Sequence, residues 1–92
     1  MKGLSYSKRF KKSFKRYERS GSFNLKELQI TIQKLREGKQ LEERYQNHKF
    51  SGVFEGYHEC HIKSDLLLIY YVDTDADIVT VFDIGSHSEL FE

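Results

Sequence analysis

The sequence predicts an α+β fold, a helical hairpin packed on a four- to five-stranded, mainly antiparallel sheet in the order β-α-α-β-β-β-β. Two observations carry this. Apolar residues recur at spacings of three and four only in the first half, the signature of amphipathic helices. From Lys49 onward, aromatic and β-branched residues take over and glycines punctuate them, the signature of strands and turns.

The elements follow in order. Residues 2–6 alternate weakly and predict a short strand. Ser7 is an N-cap for a helix whose apolar stripe is Phe10, Phe14 and Tyr17. Lys8, Arg9, Lys11, Lys12, Lys15, Arg16 and Arg19 occupy its other faces, and Ser20-Gly21-Ser22 stops it. Asn24, with Glu27 three residues on, predicts a capping box for a second helix. Leu25, Leu28, Ile32 and Leu35 form its stripe, and Gly38 suits the residue just past its end. Phe50 to Phe54 reads as a strand weakened by Gly52. In Tyr57 to Lys63 the residues alternate, with Tyr57, Glu59, His61 and Lys63 on one face and His58, Cys60 and Ile62 on the other. Leu66 to Val72 is continuously apolar, as in a central strand covered on both sides. Asp73 to Asp77 is a polar turn and Ile78 to Ile84 the last strand. Gly85 to Ser88 should then leave the sheet edge, with Leu90-Phe91 anchoring the tail.

Residues 1–92 are expected to form one domain, and composition narrows what it can be. Cys60 is the sole cysteine, so no internal disulfide forms, which suits a reducing cytoplasm. No stretch reaches the ~18 apolar residues of a membrane helix, and the first residues lack the apolar core of a cleaved signal peptide. The net charge of +1 conceals a division. Residues 1–49 carry 14 Lys/Arg against 5 Asp/Glu, whereas residues 50–92 carry 1 against 9. Such segregation points to a polyanion on the basic half. Two solvated helices with lysine-rich outer faces account for it equally well.

The chemistry-bearing residues are four histidines, His48, His58, His61 and His87, all at or beyond the border of the second half. Histidine is the side chain poised for proton transfer near neutral pH. Zinc is disfavoured, because Cys60 and His61 are adjacent and point to opposite faces of a strand, and no paired ligand spacing exists. Cys60 as a nucleophile is weak too, since a free cysteine among apolar strand residues packs as a small hydrophobe. Gly52 and Gly56 lack the Lys-Ser/Thr of a phosphate loop. No cofactor is expected. Cleavage of RNA by its own 2′-hydroxyl fits this inventory: it needs a base, an acid and a cation for the phosphorane, but no metal.

Three blocks resemble a known family. Tyr57-His58-Glu59-Cys60-His61-Ile62-Lys63-Ser64-Asp65-Leu66-Leu67-Leu68-Ile69-Tyr70 is similar to the family stretch RECHIKPDxLLIY. Gly85-Ser86-His87-Ser88-Glu89-Leu90-Phe91 is similar to its closing GSHSELF, and Asn47-His48-Lys49-Phe50-Ser51-Gly52 to a third block. Together they resemble the YafQ branch of the RelE/ParE toxin superfamily. The resemblance implies a RelE-like fold and a ribosome-dependent mRNA endonuclease. It also implies an adjacent antitoxin of ribbon-helix-helix type, with operator DNA reached only through that complex. The gyrase-directed ParE branch fits less well, because it typically lacks this set of histidines.

By position, the resemblance assigns His48, His61, Asp65 and His87 to catalysis. His87 and Asp65 would share acid–base work and His48 and His61 would hold the phosphate or move protons, with base and acid unassigned. Phe91 matches a tail aromatic that stacks on a base or, equally, anchors the tail. The seven basic residues of the first helix would meet RNA or ribosome through phosphates. Three positions depart from the pattern. His58 replaces an arginine, Leu66 a common tryptophan, and Asp83 an arginine two residues before the glycine. A carboxylate at 83 is expected to repel substrate, with Arg44, Lys49 or Lys63 compensating. Alternatively the chain is an attenuated toxin that only binds antitoxin and autoregulates.

Overall fold

In the computed structural model, which describes residues 1–20, 25–49, 56–63 and 65–91, β1 (Gly3–Tyr6) leads through Ser7 into α1 (Lys8–Ser20). Ser7 caps this helix as expected, its Oγ accepting from the Phe10 amide at 2.9 Å. The second helix, α2 (Leu25–Arg36), ends in a Schellman turn. The Gly38 amide donates to the Leu35 carbonyl and the Lys39 amide to that of Lys34, with Gly38 at φ +72°. Residues 21–24, including the expected stop and the Asn24 cap, lie outside the described residues.

A 3-10 turn (Glu43–Tyr45) then precedes β2 (His48–Lys49), β3 (His58–Lys63), β4 (Leu66–Asp73), β5 (Ile78–Gly85) and a short α3 (His87–Phe91). The described strands form one five-stranded sheet in the order β1-β5-β4-β3-β2. Only the β1–β5 pairing is parallel. The predicted α+β class and mainly antiparallel sheet therefore hold. The expected strand Phe50–Phe54 lies outside the described residues.

The sheet buries apolar side chains on both faces. Against the helices lie Cys60, Ile62, Leu68, Tyr70, Val79, Val81 and Ile84, meeting Phe10, Leu28, Ile32 and Leu35. On the opposite face Leu67 and Ile69 pack with Leu90, Tyr57 and Phe82. β4 is thus covered on both sides, as its unbroken apolar run predicts. Cys60 is fully buried, and burial pushes its thiol up to about 12. The thiolate is the nucleophile, so Cys60 should resist iodoacetamide at pH ~8, well below that value. Labelling should appear only in denaturant; native labelling at the rate of a free thiol would contradict this.

Two features depart from expectation. The chain leaves not a sheet edge but the end of β5, an interior strand between β1 and β4. The tail also turns into α3, in which Leu90 is buried and Phe91 is 40% exposed, so Leu90 alone is the anchor. Gly85 permits the return: a Cβ there would lie 3.3 Å from both Glu89 and Leu90.

Candidate active site

His61 stands on β3 opposite Leu67 of β4, and Leu67 is in turn opposite Gly85 of β5. α3 begins two residues past Gly85, so the sheet register carries His87 back toward His61. Their rings lie 6.0 Å apart, centre to centre, at 62°. Each imidazole has a carboxylate beside it. Glu59, 3% exposed, places Oε1 3.7 Å from His61 Nε2. Asp65 places Oδ1 3.8 Å from His87 Nδ1 and accepts from the His87 amide at 3.4 Å. The Phe91 ring lies 5.8 Å from that of His87, one helical turn on. β2 sets His48 opposite Glu59 in the register, while its side chain lies outside the described residues.

The helix that presents His87 is tied down at its start. Ser86 and Glu89 form a capping box: the Ser86 amide donates to Glu89 Oε1 at 2.9 Å and the Glu89 amide to Ser86 Oγ at 3.2 Å. Its signal, a serine followed three residues later by a glutamate, is present in the closing block. From α1, the Tyr17 hydroxyl donates to the same carboxylate and Arg16 pairs with it at 3.2 Å. The Tyr17 hydrogen bond leads the causes holding Glu89 below the usual glutamate range. Burial, then Glu89, raises Tyr17 to about 12. A depressed carboxylate stabilises the fold fully above its ordinary value of 4.5, and that stabilisation is lost as pH falls through the lower folded value. The Leu90 methyl resonances should therefore shift as the pH falls below 4.5, and Glu89→Gln should remove that transition. An identical acid transition in the variant would disprove the assignment.

The remaining expected residues scatter. Arg44 pairs with Glu42 at 3.2 Å, donates to the Tyr45 hydroxyl at 2.8 Å and stacks over that ring. Among the described residues no contact joins it to His61 or His87. Lys49 is exposed on β2 opposite His58, whose pKa is lowered by burial and then by Lys49. Lys63 is exposed at the end of β3, beside a bulge that begins at His61. All seven basic residues of α1 are exposed, and Lys12, Lys15, Arg16 and Arg19 line a concavity of about 420 Å³.

Asp83 corrects the sequence-based expectation. It is 4% exposed and turned toward α1. It accepts from Ser13 Oγ at 2.7 Å, Arg9 Nε at 2.8 Å and the Ile84 amide at 2.8 Å. A carboxylate so enclosed and neutralised does not confront a substrate; its charge is spent inside the fold.

Comparison with known proteins supplies the family. The model of the YafQ family, bacterial toxins of type II toxin–antitoxin systems, matches residues 2–92. The chain belongs to this family. A metal-bound toxin from Helicobacter pylori is similar at 34% identity and a TM-score of 0.90, over 99% of this chain and all of that one. YafQ of E. coli, solved as the DinJ–YafQ complex, has the same fold at 22% identity and a TM-score of 0.88, over the whole of both chains. A candidate YafQ toxin of Haemophilus influenzae is 53% identical over 36 residues, 38% of this chain and 35% of that relative's length. Among the described residues no His, Cys, Asp or Glu side chains gather in threes suited to a metal, and no helix is long and apolar enough to cross a membrane.

Proposed function

We propose that this YafQ-family toxin is a cytoplasmic, ribosome-dependent mRNA endonuclease whose single domain works by histidine–carboxylate acid–base chemistry. The observation that carries this reading is the His61–His87 pair. With rings 6.0 Å apart, one phosphate can lie within the ~3 Å reach of both. One group takes the 2′-hydroxyl proton, and the 2′-oxygen bonds to phosphorus. The bond to the 5′-oxygen breaks, and a second group protonates that oxygen. The products are a 2′,3′-cyclic phosphate and a 5′-hydroxyl. His87 and Asp65 share these transfers, Glu59 orients His61, and His48 and His61 hold the phosphate or take part in transfer. Phe91 stacks on a base in this reading, a role supported by its exposure beside His87. Lys63 and Lys49 add charge along the β3–β2 side, and the α1 cations Lys8, Lys11, Lys12, Lys15, Arg16 and Arg19 track the RNA or ribosome backbone.

Its proposed partner is an antitoxin, in parallel with the E. coli DinJ–YafQ toxin–antitoxin complex. A groove of about 550 Å³ between α1 and α2 suits an acidic amphipathic segment, its floor built from Phe10, Phe14, Leu28 and Ile32 and its rim from Lys11 and Lys15. Such an antitoxin, of ribbon-helix-helix type, would carry the complex to operator DNA.

Induction of the chain without antitoxin should arrest growth and cut translated messages, with 2′,3′-cyclic ends mapped by sequencing. Arrest with intact messages would sink the nuclease reading. The silent-homologue alternative rests on a carboxylate that repels substrate at position 83; Asp83 is buried and paired with Arg9 and Ser13, which lends that alternative no support.

A further inference from the structure

We propose that Arg9 is a phosphate-binding residue of the catalytic face, held in place by the buried Asp83; this rests on the RNA-directed reading above. β1 pairs with β5 only as far as Val81, opposite Tyr6. Past that point α1 takes over the open side of β5: the Ser7 amide donates to the Val81 carbonyl, and the Ser7 hydroxyl to that of Phe82. Phe82 is the extra residue of a bulge, since Ile69 faces Asp83 while Tyr70 faces Val81. Asp83, opposite Ile69, is covered by Ser13 and Arg9 of α1, and Phe82 packs on the face that carries Leu67, Ile69 and Leu90. That is the face of His61, whose cross-strand partner is Leu67, and of α3, which carries Leu90 and His87.

Arg9 joins the two. Its Nε is fixed 2.8 Å from Asp83, and its Cζ lies 5.4 Å over the Phe82 ring. The side chain is 56% exposed, and among the described residues neither Nη group has a hydrogen-bond partner. A guanidinium held at Nε by a buried carboxylate and seated on an aromatic face is pre-ordered, so less entropy is lost when its outer donors meet a phosphate. The other exposed cations of α1 do not share this fixing, apart from Arg16, which Glu89 holds seven residues on. Arg9 and Arg16 are about two helical turns, ~10 Å, apart. Together they continue the positive surface from Phe82 toward α3.

The test is binding of a fluorescein-labelled 2′-O-methyl RNA oligonucleotide, read by anisotropy between about 50 and 200 mM salt. The full chain is used in a His87→Ala background. Arg9→Ala should weaken binding by roughly tenfold and lower the slope of log affinity against log salt by about 0.7. Arg9→Lys should keep the slope and lose only part of the affinity. Arg9→Ala/Asp83→Asn removes both charges at once, so no carboxylate is left buried and unpaired, and should reproduce the Arg9→Ala loss. Asp83→Asn alone should weaken binding by a smaller factor, about threefold, with the slope intact. Unchanged affinity and slope in the double variant, or no binding by the parent at the lowest salt, would overturn the proposal. Cleavage plays no part in this readout. Failure of the wild-type chain to cut RNA would sink the nuclease reading and leave the Arg9 result standing.

Discussion

His87→Ala is expected to lower RNA cleavage on programmed ribosomes by ~10²–10⁴, the usual value of a positioned proton-transfer group. The side chain is 60% exposed and packs only at the surface of α3. Stability should therefore change by no more than about 0.5 kcal/mol, and any loss of rate belongs to chemistry rather than folding. Asp65→Asn should follow with a smaller loss, because it keeps an acceptor for the His87 amide while removing the charge beside Nδ1. The decisive comparison is single-turnover cleavage by the wild type and His87→Ala at matched ribosome occupancy. Equal rates would remove His87 from the mechanism, and with it the pairing of His61 and His87.

Asp83→Arg is expected to destabilise the fold by about 3–5 kcal/mol. Asp83 is enclosed under α1 and compensates Arg9, so a guanidinium placed there would meet a like charge. Ser13 Oγ and the Ile84 amide would lose the oxygen they share, and an unmet buried donor costs ~1–3 kcal/mol. In a domain stable by only about 5–15 kcal/mol such a loss is large, and it should appear as a drop in midpoint temperature and as weaker cleavage. Arg9→Asp in the same chain should recover part of the stability, since the reversed pair again joins opposite charges. Were Asp83 instead to repel the substrate, as the sequence alone leads one to expect, an arginine there would raise cleavage. A stable, faster Asp83→Arg variant would show that residue 83 faces the substrate after all.

Much was legible in the sequence, because much of it is local. Serine at a helix start, glycine just past a helix end, and apolar periods of 3.6 and 2 act through neighbouring backbone atoms. Ser7, Gly38, β3 to β5 and the two helical stripes, apart from Leu25, which is exposed, could therefore be read directly. The buried thiol of Cys60 followed from its alternation in β3. The site was legible as a set of residue types, His61, Asp65 and His87, but not as an arrangement. Their meeting needs β3, β4 and β5 to pair in one register and α3 to fold back over Gly85. Glu89 reads as a surface acid until α1 supplies Tyr17 and Arg16.

Asp83 shows where local reading ends. Its charge was visible, but its burial was set by a bulge at Phe82 and by β1 stopping at Tyr6; the first arises where β5 pairs with β4, and the second from pairing between Tyr6 and Val81, segments more than 70 residues apart. The sequence by itself determined the family, most of the elements and the candidate acid–base residues, since those depend on composition and short-range pattern. Only the tertiary structure decided which charge reaches the surface, because the exposure of a side chain at a strand's open edge depends on what packs beside it. Here α1 covers that edge, turning Asp83 inward and Arg9 outward.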